Sequence, residues 1–305
     1  MDLKYFNKIR ILDGGMGQEL LSRGLISKGT LWSTSALLDE KFHDLLTRVH
    51  LSFIEAGADV IITNNFSSRR IRLIENKVEN KFEYVNKKAC EIANKARDVS
   101  KKNILIAGSL PPQNGTYVVD ERDINFIKKD FNDQAKIIKP YVDFFYLDVI
   151  SSGKEIEAAC EVTEKMNMPI LVGIHLKNNG MLPSGETLSE IFRKYHSNNW
   201  IGVIAACVSL EIINNTIKEI KESNIPFGFK ANLWKVKEPL PVHKFNNAKF
   251  DEVGKNPNEV MGKRNEITAD IFYEFAKNQK ENGATILGGC CNIGPEHIKS
   301  ISYLK

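Results

Sequence analysis

The sequence predicts an α/β protein built as a single (β/α)8, or TIM, barrel over residues 1–305. Three observations carry that prediction. Eight short apolar runs end in small or polar residues, most are followed by apolar residues at helical period, and the length of 305 residues suits one closed barrel. Alternating strand and helix signals mean parallel strands, and eight repeats allow the sheet to close on itself. An open doubly wound sheet is the rival. It wants a glycine-rich phosphate fingerprint after its first strand, and Asp13-Gly14-Gly15-Met16-Gly17-Gln18 does not supply G-x-G-x-x-G.

The predicted strands are Ile9–Asp13, Val60–Asn64, Ile104–Gly108, Phe144–Asp148, Ile170–Ile174, Ile201–Cys207, Pro226–Phe229 and Thr285–Gly289. Between them, His43–Ala56 places Leu45, Leu46, Val49, Phe53 and Ile54 on one helical face, and Gly57 stops it. The same pattern predicts helices over Asn86–Val99, Ile124–Ile138, Lys154–Met166, Leu188–Tyr195, Ile212–Glu222 and Thr268–Asn282. Gly294-Pro295 opens a last helix, with Pro where its missing N–H is harmless. The one long irregular stretch, about 235–265, follows the seventh strand and reads as an excursion over the barrel mouth.

Composition excludes several partner classes. The net charge of +4 is spread out: Lys87, Lys88 and Lys95 alternate with Glu83 and Glu91 as a solvated helix face, and no basic patch is interleaved with aromatics, so nucleic acid is not an expected partner. No apolar run approaches a membrane span, and the first ten residues lack the apolar core of a signal peptide. A cytoplasmic monomer or small homo-oligomer is expected. In that reducing compartment the five cysteines stay free or bind metal.

Sites in such barrels lie at the carboxyl ends of the strands. In strand order those positions hold Asp13, Asn64 with Asn65, Ser109, Asp148, His175, Cys207, Asn232, and Cys290 with Cys291. Adjacent cysteines make a poor disulfide, and successive strand residues cannot both face the core, so Cys290-Cys291 reads as two metal ligands, with plain packing as the alternative. The sixth strand is two positions around the barrel from the eighth, so Cys207 joins them on one rim. Three protein ligands with a fourth position open is the pattern of a catalytic zinc. Cys90 and Cys160 lie mid-helix and read as core. His175 is read as a structural histidine or a site residue, His243 as a weak candidate for a fourth ligand, and His297 as surface or helix packing.

Several motifs carry a resemblance: Asp13-Gly14-Gly15-Met16-Gly17, Leu31-Trp32-Ser33, Gly57-Ala58-Asp59-Val60-Ile61-Ile62-Thr63-Asn64, Ala107-Gly108-Ser109-Leu110-Pro111-Pro112, Ser184-Gly185-Glu186-Thr187-Leu188, and Gly288-Gly289-Cys290-Cys291 with Gly294-Pro295-Glu296-His297-Ile298 behind it. Over nearly its whole length the chain resembles the zinc-dependent homocysteine S-methyltransferases. That group includes betaine and S-methylmethionine enzymes and the homocysteine domain of cobalamin-dependent methionine synthase. The resemblance implies that Cys207, Cys290 and Cys291 bind Zn2+ and that the homocysteine sulfur takes the open position. It further implies that Asp13, Gly14 and Asp148 hold the amino-acid end. Trp32, Phe66 and Trp234 lie near strand ends and are candidates to hold a cationic methyl donor on their faces, with ordinary core packing as the alternative.

The chain departs from the family pattern in places. Asp148 stands where the family usually has Glu, Ala206 stands where an Asn commonly precedes the sixth-strand cysteine, and Val208-Ser209-Leu210 follows where Pro is frequent. Ser67 follows Phe66 where betaine enzymes carry Tyr, and the chain ends soon after its last helix. Both points lean toward a sulfonium donor such as S-methylmethionine over betaine. Two rival functions are kept: methyl transfer to another thiol or selenol, and a barrel that binds zinc or senses redox state without catalysis.

Overall fold

The computed structural model describes residues 4–305, so residues 1–3 of the predicted barrel lie outside the described part. Eight strands form one parallel sheet in the order β1-β8-β7-β6-β5-β4-β3-β2: β1 Arg10–Ile11, β2 Val60–Ile62, β3 Leu105–Leu110, β4 Phe144–Ile150, β5 Ile170–Ile174, β6 Trp200–Val208, β7 Phe227–Ala231 and β8 Ile286–Gly289. The ring joins between β1 and β2 through a parallel bridge of Leu12 with Val60, where the Asp59 N–H donates to the Ile11 carbonyl (2.7 Å) and the Asp13 N–H to that of Val60 (3.0 Å). The protein is a (β/α)8 barrel.

Side-chain alternation explains its two apolar layers. On β4, Phe144 and Tyr146 point inward to meet Leu12, Val60, Ile204 and Ile286, while Phe145 and Leu147 point out into the strand–helix layer. Phe6, from a short 3-10 turn before β1, plugs the interior with its ring edge on Phe144 at 5.7 Å. Complete burial of such a side chain is worth roughly 1.5–3 kcal/mol.

Most helices begin where the periodicity places them. The helix predicted over Asn86–Val99 starts a turn earlier and spans Phe82–Ser100, because Phe82 and Val85 extend its buried stripe. Short helices at Met16–Ser22, Ser35–Leu38 and Arg70–Glu75 were too brief to give a period. The stretch after β7 is less irregular than its composition suggests. It holds a 3-10 turn at Val242–Lys244 and a helix at Pro257–Met261, and it is pinned to the segment after the first helix by the bond from the Gly29 N–H to the Glu252 carbonyl (2.9 Å).

Two strands carry irregularities that matter for the site. The register shifts in β4 between Leu147 and Ile150 and in β6 between Ala206 and Val208, and at these points Val149 (φ 70°) and Cys207 (φ 54°) adopt left-handed backbone. A bulge of this kind re-aims a side chain, and each such residue stores about 1–3 kcal/mol of strain. Asp148 therefore does not end its strand as predicted: β4 continues to Ile150, and the bulge directly after Asp148 turns Val149 toward the mouth.

Candidate active site

Simple alternation would send Cys207 outward, since Ala206 already faces the mouth and Val208 joins the strand–helix layer. The bulge reverses this. It turns the Cys207 sulfur to within 3.6 Å of Cys291 Sγ, and Cys290 Sγ lies 3.9 Å from Cys291 Sγ. All three sulfurs lie within 4.8 Å of one another. A tetrahedral ion with bonds of ~2.3 Å to sulfur sets its ligands ~3.8 Å apart, so these three suit one zinc-like ion.

The surrounding groups hold the cluster rather than close it. Tyr117 Oη lies 3.2 Å from Cys207 Sγ, Asn232 donates through Nδ2 to the Cys207 carbonyl (2.7 Å), and His175 Nδ1 contacts the Ala206 carbonyl at 3.2 Å while its ring packs on Tyr117 at 4.6 Å. Burial raises the Cys207 thiol, but the hydrogen bonds from Cys290, Cys291 and Tyr117 outweigh it and bring Cys207 well below the ordinary thiol range. Cys290 and Cys291 are driven up, chiefly by their interactions with Cys207. Three thiolates in so small a volume repel one another, and a divalent cation is the counter-charge that lets all three ionise.

One cavity opens onto these sulfurs. Its wall includes Asp13, Gly14 and Asp148, the aromatics Trp32, Phe66 and Trp234, and Leu240, Val242, Phe245 and Met261 from the long segment after β7. Gly14 sits where any side chain would collide with the Ile293 carbonyl, at 2.3 Å, and its N–H has no hydrogen-bond acceptor among the described residues. Gly17 is flush with Trp32, whose indole nitrogen would stand 1.6 Å from an added methyl. Asp148 accepts from Ser109 Oγ at 2.9 Å, and burial pushes its carboxyl up to about 7 against the pull of Lys230.

Asp13 does not end the first strand, which stops at Ile11, but follows it by two residues on the cavity wall. Its Oδ1 is paired with Lys230 Nζ at 2.7 Å, and its Oδ2 accepts the Ile62 N–H at 2.7 Å, so both oxygens are engaged inside the protein. Lys230 lies on the inward-facing parity of β7 and was passed over in the sequence, although a lysine between Phe229 and Ala231 in a buried strand is itself a signal. Tyr117 was missed too, and a loop residue offers no period to find it by. His243 is exposed and outside the cavity wall. His297 is buried, with Nε2 at 3.0 Å from the Ile267 carbonyl and its ring edge on Phe272, so of its two readings the structure gives helix packing.

The sequence profile of the homocysteine S-methyltransferases matches residues 10–304. The chain belongs to the homocysteine S-methyltransferase family. It is accordingly a methyltransferase of the EC 2.1.1 class. Among its relatives, homocysteine S-methyltransferase 1 of Brassica oleracea var. italica is 26% identical over 330 residues, covering 96% of this chain and 92% of the relative. S-methylmethionine–homocysteine S-methyltransferase BHMT2 of Pongo abelii is 27% identical over 299 residues, covering 97% of this chain and 78% of the relative. In structure the methyltransferase is similar to the metallated form of the Escherichia coli homocysteine methyltransferase MmuM, with a TM-score of 0.77 at 18% identity, covering 98% and 96% of the two chains. No helix among its described residues is long and apolar enough to cross a membrane.

Behind the cavity wall, Glu155 is wholly buried at the start of helix Gly153–Lys165. Its Oε2 accepts from the Ser151 N–H (3.1 Å) and Ser152 Oγ (3.0 Å), whereas Oε1 has no partner. Burial pushes its carboxyl up to about 8 from 4.5. A raised folded-state value means a contribution to stability that is complete below about pH 4.5 and lost as pH climbs through about 8. Urea unfolding at pH 5 and pH 8 should therefore show Glu155→Gln losing less stability over that interval than the parent, by a few kcal/mol. Equal losses in the two proteins would contradict it.

Proposed function

We propose that the enzyme moves a methyl group from a small onium donor, S-methylmethionine in preference to betaine, onto the sulfur of homocysteine, giving methionine. The observation that carries this reading is the convergence of Cys207, Cys290 and Cys291 at tetrahedral spacing on the wall of a cavity that also presents Asp148. Those three sulfurs would hold Zn2+, whose chemistry when bound is to make an incoming thiol give up its proton at neutral pH.

The chain's own groups do the rest. With Asp13 occupied by Lys230, the α-ammonium of homocysteine falls to Asp148, while the α-carboxylate takes the unpartnered Gly14 N–H. A substrate ammonium beside Asp148 also supplies the charge that its buried carboxyl lacks. Tyr117 and Asn232 fix Cys207 in its left-handed bulge. Trp32, Phe66 and Trp234 offer faces to the donor cation without a neutralising carboxylate, and Leu240, Val242 and Phe245 keep the cavity apolar on the side toward the mouth. Attack of a thiolate on an onium methyl annihilates two opposite charges. A dry, weakly polar wall therefore favours the transition state over the separated ions. The reading places the chemistry in the reducing cytosol, because oxidation would remove the ligands.

Homocysteine with a panel of methyl donors, scored by methionine formed, tests this function. S-methylmethionine should give the highest kcat/KM, with betaine at least about tenfold lower, because Ser67 leaves no hydroxyphenyl ring beside Phe66. The opposite ranking would replace the donor. No methionine from any donor would reject the reading.

A further inference from the structure

Arg69 caps the helix Arg70–Glu75 after β2 and is 1% exposed, one of the largest fully buried side chains in the molecule. Its Nη1 donates to the Pro112 carbonyl at 2.8 Å and its Nη2 to Thr116 Oγ1 at 3.0 Å, while Nε has no partner. Two of five N–H donors are thus spent, and both go to neutral oxygens. Arg70 pairs with Glu79 and Asp133, and Arg72 with Glu75, but no carboxylate among the described residues lies within 4.0 Å of Arg69. Burial, and next the Arg72 cation, pull the Arg69 guanidinium down to about 9, which still leaves it charged at neutral pH. Of the two acids whose fields reach it, Glu75 is already paired with Arg72 at 2.7 Å, and Glu155 is itself pushed up to about 8 and stays largely uncharged at neutral pH.

An ionised group buried without a counter-charge is strongly unfavourable unless something supplies one. Arg69 lines the same cavity as the three sulfurs, together with Thr116, Tyr117 and Phe66, whose ring centroid is 5.4 Å from the guanidinium carbon. A guanidinium in that wall repels a simple onium cation. It attracts a donor that carries a carboxylate of its own. The geometry points to Arg69 as the carboxylate-binding residue of the methyl-donor subsite, so that the donor is a zwitterion whose carboxylate meets Arg69 and whose onium centre lies against the aromatic faces. This rests on the methyl-transfer reading above. It adds that trialkyl onium ions without a carboxylate are poor donors.

The test uses the full-length zinc-loaded enzyme and two donor pairs that differ at the carboxylate: S-methylmethionine against (3-aminopropyl)dimethylsulfonium, and betaine against choline. Arg69→Met should lower kcat/KM for the carboxylate-bearing donor by about 10- to 100-fold while leaving its carboxylate-free partner within about threefold, the range expected for a lost charge-assisted bond. The KM for homocysteine should not move, and Arg69→Lys should recover part of the preference. Calorimetry with metal-free protein supplies a reading independent of turnover: S-methylmethionine should bind the parent at least tenfold more tightly than Arg69→Met. Equal losses for both members of a pair would make Arg69 a clamp on the loop after β3 and overturn the proposal. So would a rise confined to the homocysteine KM, which would assign the residue to the acceptor. Should the parent transfer methyl from no donor, the methyl-transfer reading fails, and the calorimetric difference alone decides whether Arg69 binds a carboxylate.

Discussion

Cys290→Ala is expected to strip zinc from the enzyme and to lower methyl transfer by more than about 100-fold, since loss even of an outer-shell partner commonly reduces metal affinity or activity 10- to 100-fold. Of the three clustered cysteines, Cys290 is the one to change. It is half-buried, and its backbone is ordinary, whereas Cys207 sits at φ 54° in a bulge where any replacement also disturbs the strand. Cys90→Ala serves as the control: that thiol is buried in the strand–helix layer and is not part of the cavity wall, and its replacement should leave zinc content unchanged. Metal analysis of the purified variants, beside methionine formation, checks the expectation. A Cys290→Ala enzyme that turns over normally without zinc would leave the proposed chemistry without a metal.

The second large effect concerns the buried pair of Asp13 and Lys230 at the cavity wall. Asp13→Asn leaves the Lys230 ammonium buried with no carboxylate in contact and only the field of Asp148, and Lys230→Met leaves the converse, a carboxyl already pushed up by burial and now without its cation. Each single change should destabilise the fold by about 3–5 kcal/mol, because the uncompensated charge and not the lost contact sets the penalty. The double variant Asp13→Asn with Lys230→Met removes both charges and should recover most of that loss, giving a coupling of more than about 2 kcal/mol in a denaturation cycle. Simple addition of the two losses would show that the pair is not a coupled unit. Homocysteine binding should weaken less in the double variant than in Asp148→Asn, because Asp148 and not Asp13 has an oxygen free for the ammonium.

How much of this was legible in advance depends on whether the signal is local. Adjacent cysteines after a glycine pair can be read directly, because neither core packing nor a relaxed disulfide accommodates both. Cys207 became legible once eight strands were counted, since strand order then places it near them. Lys230 offered a signal that was not used. Tyr117 and Arg69 offered none, because the partners that give them meaning come from distant segments: the Cys207 sulfur of β6 for one, the Pro112 carbonyl and Thr116 hydroxyl after β3 for the other.

The bulges show the limit most clearly. Strand periodicity alone turns Cys207 and Val149 outward, and both face the mouth, because a bulge is a mismatch in residue count between two paired strands and neither strand holds that mismatch by itself. Likewise, the residues alone mark Asp13 as an acid at a strand end, while only the fold brings Lys230 from the seventh strand to within 2.7 Å of it and so commits it to the protein. The barrel follows from period, and the strand ends at which Cys207, Cys290 and Cys291 stand follow from strand order and residue type. Which way each side chain points, and which charges are already spoken for, depend instead on pairings between segments that lie far apart in the chain.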